Sequence, residues 1–282
     1  MGAGPGAHQG RGHPRRQCFR YDNGKPHNDA RQEQGDAMRF TVIGGTGLIG
    51  AQVVGKLAAD GHNAVAASRS TGVDVLTGQG LEQALSGADV VINLTNSPTF
   101  DAASVEFFTA STNTLTAACR TAGVSHHVLL SIVGVDRLPQ LDYYRAKTAQ
   151  EDILAAGPTP YSIVRATQFF EFVDTILSWT TDDGTVRLPT TRLQPIAAAD
   201  VADAIATTAT GIPWQGTRDI AGPDLFPLDE LGRITLAAHP DGRTVVTDDR
   251  AGMFAAIAGD VLTAGREAIL APTHYADWIQ RL

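Results

Sequence analysis

Arg39-Phe40-Thr41-Val42-Ile43-Gly44-Gly45-Thr46-Gly47-Leu48-Ile49-Gly50 decides how the rest of the chain reads. A short apolar run leads into four glycines within seven residues, and an apolar pattern of helical spacing follows. The order is strand, tight turn, helix. Gly45, Gly47 and Gly50 fit G-x-G-x-x-G, and Gly44, Gly47 and Gly50 also fit G-x-x-G-x-x-G. A turn without Cβ atoms lets a pyrophosphate approach the backbone. The helix that follows turns its free N–H groups and positive dipole end toward the anion. Glycine turns shaped only by packing share the bare pattern. The position between a strand and a helix, at the head of alternating strands and helices, is what predicts nucleotide binding here.

Outward from that stretch, the chain of 282 residues suits one large domain or a domain with a small annex. Hydrophobic residues at 43% and charged residues at 18% allow a sizeable core. A net charge of -8 argues against non-specific binding to nucleic acid or to an anionic membrane surface. Cys18 and Cys119 show no metal-ligand spacing and imply no disulfide framework, so a reducing, cytoplasmic compartment is expected. No apolar run approaches a membrane span, and no apolar h-region follows the first basic residues. Monomer and small homo-oligomer are both compatible with the composition.

Residues 1–37 contain no Val, Ile or Leu and hold seven of the 29 glycines. A segment that cannot bury apolar surface cannot offset its ordering entropy, so a disordered extension is expected there. Met38, directly before the first strand, is expected to be the natural start.

Past the glycine loop, Ile49, Val53 and Leu57 share one helical face, and Gly61 is a plausible stop. Asn63 to Ser68 reads as a strand whose end meets the adenosine ribose in a dinucleotide fold. An acidic residue there would repel a 2′-phosphate. This chain has Ser68-Arg69-Ser70, a hydroxyl and a guanidinium suited to phosphate oxygens, which favours NADP(H) over NAD(H). Val73-Asp74-Val75 reads as a brief strand, Gly80 to Gly87 as a short helix and Asp89 to Leu94 as a strand buried on both faces. The end of that strand, Thr95-Asn96-Ser97-Pro98, should lie over the cofactor. A helix over 102–122, a strand over 127–132, a helix over 141–156 and a strand over 161–165 follow. The paired His126-His127 has no third ligand nearby in sequence, so a metal role is not expected. Strands alternating with helices, without tight hairpin signals, predict an α/β fold with a doubly wound parallel sheet of Rossmann type. Beyond 166 the pattern loosens into a helix over 168–178, a strand over 185–189, a helix over 200–209 and a strand over 219–222. These predict a smaller, substrate-facing part within the domain of residues 38–282.

Tyr143 and Lys147 lie four positions apart on the helix that follows the strand bearing Ser131. Positions i and i+4 share a helix face. An ammonium beside a phenol stabilises phenolate and tunes the group for acid–base work. Ser131, at the end of its strand, can orient a substrate oxygen. Tyr144, three positions before Lys147, remains an alternative partner. Such pairs also occur on ordinary helix surfaces. The place in what reads as the fifth βα unit of a nucleotide-binding sheet points to catalysis.

Gly44 to Gly50, Ser68-Arg69, Ser131 and Tyr143-x-x-x-Lys147 together resemble the short-chain dehydrogenase/reductase superfamily. Tyr144-Arg145-Ala146-Lys147, Tyr161 to Phe169 and Pro195 to Ala202 are similar to its atypical, NmrA-like branch. The resemblance covers nearly all of 38–282. It implies hydride transfer with Tyr143 and Lys147 as actors, with Lys147 also holding the nicotinamide ribose. It further implies a contact from Asp74 to the adenine ring, and a loop over Asn93, Thr95 and Asn96 beside the cofactor. The loop Asp136-Arg137-Leu138-Pro139-Gln140 departs from the pattern. Phe169, Phe170, Phe172, Trp179 and Trp214 suggest an apolar or aromatic substrate. The expected activity is NADPH-dependent reduction of a small carbonyl or quinone-like substrate. The alternative is a non-catalytic NADP(H)-binding sensor acting through a protein partner, as in NmrA-like proteins lacking the Tyr. Epimerase or dehydratase chemistry on a nucleotide sugar ranks last, because the C-terminal part looks small and apolar.

Overall fold

In the computed structural model of the chain, residues 1–2, 37–257 and 259–282 are described. The chain divides into two units, Met1–Asp36 and Ala37–Leu282. The expected disordered extension falls outside the described residues.

In the second unit, β1 (Arg39–Ile43) runs through the glycine turn into α1 (Leu48–Ala59), then β2 (Asn63–Ala67), the short α2 (Leu81–Leu85), β3 (Val90–Asn93) and α3 (Ala103–Ala122). There follow β4 (His126–Ile132), α4 (Asp142–Ala155), β5 (Tyr161–Ala166), α5 (Val173–Trp179), β6 (Thr181–Asp182), β7 (Thr185–Leu188) and β8 (Arg192–Leu193). The chain closes with α6 (Ala198–Thr210), β9 (Gly216–Ala221), β10 (Phe226–Pro227), α7 (Leu228–Ala238), β11 (Thr244–Thr247), β12 (Ile269–Leu270) and α8 (Tyr275–Ile279).

Seven strands form one parallel sheet in the order β12-β9-β5-β4-β3-β1-β2. All four residues of β3 are buried, as a strand covered by helices on both faces requires. The strand order reverses between β1 and β3. In a doubly wound sheet the crevice outside the carboxyl ends at that reversal is where ligands bind. Val53 and Leu57 of α1 pack with Val201 and Ile205 of α6 on one face, and Leu85 and Leu115 pack with Val91 on the other. Fully burying such a side chain stabilises the fold by about 1.5–3 kcal/mol.

Two expected elements differ. Val73-Asp74-Val75 is a loop, because its hydrogen bonds are local. Asp74 Oδ1 accepts from the Leu76 N–H at 2.8 Å, and the Asp74 N–H donates to the Gln79 carbonyl at 2.9 Å. Ser131 therefore sits on the fourth strand, not the fifth. The helix expected from Gln168 starts later. Gln168 and Phe169 are held extended by Ile196, whose N–H donates to the Gln168 carbonyl at 2.9 Å and whose carbonyl accepts from the Phe170 N–H at 2.9 Å. A single 3₁₀ turn over Phe170–Phe172 then leads into α5.

Beyond residue 166 the chain serves two cores. Helix α6 and strand β9 return to the main sheet, where β9 pairs with β5 from Ser162↔Gly216 to Ala166↔Ile220. Val173, Leu177, Val186, Leu188, Leu231 and Tyr275 build a second core with Val135 and Tyr144 from the loop and helix after β4.

Candidate functional site

The glycine turn is shaped by close approach. Gly44 takes φ +79°, which L side chains rarely adopt, and a Cβ there would lie 2.8 Å from the Leu94 carbonyl oxygen of the neighbouring strand end. A Cβ on Gly50 would lie 2.2 Å from the Gly44 carbonyl oxygen. The first turn of α1 has no side-chain cap and no acidic residue, so its N–H groups face the crevice as a free anion cradle. These observations fit a pyrophosphate.

A cleft of about 410 Å³ opens at this turn. Gly44, Gly47, Leu48, Ile49 and Gly50 line one side, Thr95 and Asn96 the roof, and Ser131, Tyr143 and Lys147 the far end. Gly45 is buried beneath the turn, where its N–H donates to the Val42 carbonyl at 3.0 Å. Asn93 is buried too and takes Thr95 as its partner, accepting from the Thr95 N–H at 3.1 Å and hydroxyl at 2.8 Å. Leu94, Leu130, Ile132 and Phe169 complete the lining.

At the end of β2, hydroxyls gather. Thr46 Oγ1 donates to Ser68 Oγ at 3.0 Å, and Ser68 and Ser70 share a hydrogen bond of 2.8 Å. Arg69 is exposed in the single 3₁₀ turn between them. Asp74 is not among the residues lining the cleft, its carboxylate being turned to the Leu76 N–H.

At the far end of the cleft, Ser131 is buried and its hydroxyl has no hydrogen-bond partner. The Tyr143 hydroxyl donates to Asn96 Oδ1 in a short hydrogen bond. Its ring packs on Phe100 and Phe108, with centroids 4.9 and 5.8 Å away. Lys147 points to the floor instead. Its ammonium donates to the Leu130 carbonyl at 2.8 Å and to Gln150 Oε1 at 2.5 Å, over the Phe108 ring at 4.9 Å. Gln150 Nε2 in turn donates to Thr95 Oγ1 at 3.3 Å. A buried polar chain thus runs from Lys147 through Gln150 and Thr95 to Asn93.

This corrects the expectation that Lys147 lowers the Tyr143 pKa. Burial pushes the Tyr143 phenol well above its ordinary range, with Tyr144 adding to the rise. Burial also lowers Lys147 to about 7, partly opposed by the Glu151 carboxylate one turn along α4. The two share a helix face, but their side chains diverge, one toward the β3 loop and one toward the sheet. Tyr144 is buried and pushed up to about 12 by burial, tempered by the neighbouring Gln168 amide.

The loop between Ser131 and Tyr143 is pinned. Arg165 on β5 donates to Asp136 Oδ2 at 2.9 Å and grips Glu151 with two bonds of 2.9 and 2.5 Å. Arg137 donates to the Val261 carbonyl at 2.6 Å. The guanidinium of Arg165 holds the Asp136 carboxyl below its ordinary range despite partial burial.

A second cavity of about 450 Å³ adjoins the cleft and shares Asn96, Ser131, Ile132, Tyr143 and Phe169 with it. Phe100, Phe172, Trp179, Met253 and Phe254 add apolar walls. Two aromatic residues expected here lie elsewhere. Phe170 is buried against Tyr275, their ring centroids 5.0 Å apart, and Trp214 stacks under Arg218 at 4.3 Å in a separate groove. Sequence reasoning missed Gln150, Thr167, Gln168, Met253 and Phe254. Gln150 carried a signal, being i+3 from Lys147. Met253 and Phe254 reach the cavity from a distant segment and carried none.

No helix among the described residues is long and apolar enough to cross a membrane. No group of three or more His, Cys, Asp or Glu side chains among them could hold a metal ion.

A family model described as NAD(P)H-binding matches residues 44–210. The chain is 31% identical over 209 residues to a (4-alkanoyl-5-oxo-2,5-dihydrofuran-3-yl)methyl phosphate reductase of Streptomyces griseus, covering 67% of this chain and 70% of that protein. Among solved structures, it is similar to a UDP-N-acetylglucosamine 4-epimerase from Bacillus cereus. That match has a TM-score of 0.65 and 19% identity and covers 87% of this chain and 95% of the other. It is also similar to a dTDP-4-dehydrorhamnose reductase from Clostridium acetobutylicum, with a TM-score of 0.66, 15% identity and coverage of 86% and 98%. Likeness at these identities is a likeness of fold.

Proposed function

The chain belongs to the NAD(P)H-binding family, and on that premise we propose that it is an NADPH-dependent oxidoreductase acting on a small carbonyl or quinone-like substrate. The observation that carries this reading is the meeting of two cavities at Ser131 and Tyr143, one framed by the glycine turn and the other by aromatic walls. NADPH, when bound, supplies the hydride. Gly44–Gly50 and the uncapped start of α1 would receive its pyrophosphate. Thr46, Ser68, Arg69 and Ser70 would receive the 2′-phosphate, which sets the preference over NADH. Lys147 would hold the nicotinamide ribose, its ammonium fixed by the Leu130 carbonyl and by Gln150, which Thr95 and Asn93 hold in turn. Ser131 would orient the substrate oxygen. Tyr143 would give it a proton, and a phenol kept neutral by burial is in the right state to do so. The balance is substrate, NADPH and one proton to reduced substrate and NADP⁺.

The Streptomyces relative is named as the reductase of an oxo-dihydrofuran, a cyclic carbonyl compound, which supports a cyclic conjugated substrate. A reducing cytoplasmic setting, where NADPH is at hand, suits this chemistry. The test is NADPH oxidation with 1,4-naphthoquinone and with α,β-unsaturated ketones and lactones. Turnover that vanishes in Tyr143→Phe supports the reading, and no oxidation with any of them overturns it.

One observation favours a second reading, an NADP(H)-dependent sensor of NmrA type. Tyr143 is paired with Asn96, and Lys147 with Leu130 and Gln150, so neither group waits for a substrate. Cofactor-dependent capture of a protein partner, with no turnover, would select that reading.

A further inference from the structure

The Tyr143 hydroxyl meets Asn96, not Lys147. The phenol donates to Asn96 Oδ1, while the Lys147 ammonium is engaged with the Leu130 carbonyl and Gln150. Asn96 stands exposed at the junction and lines both the cleft and the aromatic cavity. Its loop is fixed on either side. Asn93 Oδ1 accepts from the Thr95 N–H and hydroxyl, and the buried Ser97 accepts through Oγ from the Thr99 N–H at 3.3 Å. Phe100 of the same loop lies against the Tyr143 ring. The loop after β3 thus holds the phenol by its ring and by its hydroxyl, and leaves the amide open to the cavities.

An amide carries an acceptor and a donor on one planar group. A half-turn about its last torsion, which is broad and two-fold, puts Nδ2 where Oδ1 stood. The proposed reaction calls for both. As the substrate takes up hydride, the Tyr143 O–H bond breaks, the proton passes to the substrate oxygen and the electron pair stays on the phenol oxygen. Burial makes that charge costly unless an N–H meets it, and burial already pushes this phenol well above its ordinary range. The titratable groups nearby do not help. Tyr144 raises the phenol further, Asp142 is paired with Arg145 at 2.5 Å, and Lys147 is turned to the floor. Asp101, Glu106 and Asp174, on the loop, α3 and α5, line neither cavity.

We infer that Asn96 is the positioning residue for proton transfer from Tyr143. Its Oδ1 holds the phenol before the step, and its Nδ2, after a half-turn, donates to the phenolate that the step leaves. Water at the exposed Asn96 restores the phenol proton before the next turnover. The inference rests on the reading of Tyr143 as the acid of the reaction.

The experiment compares the wild type with Asn96→Asp at saturating NADPH and 1,4-naphthoquinone. Aspartate keeps the shape and still accepts from the phenol, but as a carboxylate it cannot donate to the phenolate. Its kcat should fall about 30-fold or more at neutral pH. The ratio of variant to wild type should then climb about threefold or more from about pH 7 to about pH 5, because a protonated carboxyl donates again. Taking the ratio at each pH cancels changes common to both proteins, such as the titration of Lys147. A second readout needs no turnover. The Tyr143 phenolate is followed in alkali as the near-ultraviolet difference between each cofactor-free protein and its Tyr143→Phe counterpart. In Asn96→Leu it should appear about one pH unit later than in the wild type, since a charge-assisted bond is lost. Asn96→Leu also serves the kinetic comparison if the aspartate variant does not fold, with a loss that acid does not repair. An aspartate variant as fast as the wild type, a ratio flat with pH, or a phenolate that appears no later in Asn96→Leu would overturn the inference. Naphthoquinone turnover by the wild type with an indifferent Asn96→Asp defeats this inference alone. A later phenolate in Asn96→Leu, in a protein that oxidises no NADPH, upholds the pairing of Asn96 with the phenolate and defeats the proposed reaction.

Discussion

The two ends of the site are built by different rules. The proposed cofactor end comes from short contiguous pieces, the turn at 44–50 and the strand ends at 68–70 and 93–96. At the turn its fit is made by backbone, as the Gly44 and Gly50 approaches show, and only at 68–70 do side-chain hydroxyls and Arg69 take over. The proposed substrate end is assembled from the loop after β3, the start of α4, the exit of β5, α5 and the segment at 253–254, and its walls are side chains. A backbone site tolerates little change and is written in local motifs. A side-chain site can change its ligand by substitution and leaves little trace in local spacing.

That contrast can be broken at several points. Tyr143→Phe, at the junction, should lower kcat by about 10²-fold or more while NADPH affinity stays within about twofold. Stopped-flow turnover and fluorescence titration of NADPH check the two halves. Gly50→Ala places a methyl against the Gly44 carbonyl, so NADPH affinity should fall by more than about tenfold, with the substrate KM following only through the cofactor. Arg69→Ala should weaken NADPH by about tenfold and leave NADH nearly unchanged, since charge-assisted bonds to one phosphate are lost. An equal loss for both cofactors would remove Arg69 from the 2′-phosphate site.

A fourth prediction concerns the sheet that carries both ends. His126 and His127 on β4 are lowered by burial to about 4 and about 3, so the folded state keeps them neutral where the unfolded state takes protons. Between about pH 6.5 and pH 3 the unfolded chain binds more protons, so stability falls as pH falls through that window. The slope is up to about 1.4 kcal/mol per pH unit for each histidine. Urea titrations at pH 7 and pH 5 measure it, and His127→Phe should flatten the difference. The smallest effect is expected at the substrate wall. Trp179→Ala should raise KM about fivefold and leave NADPH affinity unchanged, since one exposed aromatic contact is removed.

The strand, glycine turn and helix that frame the proposed cofactor end were legible because their signals are local. The apolar run before Gly44, the glycine spacing and the apolar face of Ile49, Val53 and Leu57 all lie within one βα unit. Val73-Asp74-Val75 misled because three residues of strand composition cannot outweigh an Asp that bonds its own backbone two positions on. Spacing put Tyr143 and Lys147 on one face, but it could not say that burial would draw Lys147 to Leu130 and Gln150. Gln168 was read as helical because its extended state is imposed by Ile196, a residue 28 positions away.

The path of the chain after β5 sets a limit on redesign. It leaves the sheet for α5 to β8, returns for α6 and β9, leaves again through β10 to β11, and comes back as β12. Substrate-side residues such as Trp179 and Phe254 thus sit on two separate excursions, with a piece of the main sheet threaded between them. A chimera meant to import another reductase's specificity cannot be made at one crossover. It must replace two segments, 170–193 and 224–268, while keeping 198–221 from the host. Recombination at a single junction would exchange half a pocket and tear α6 from α1.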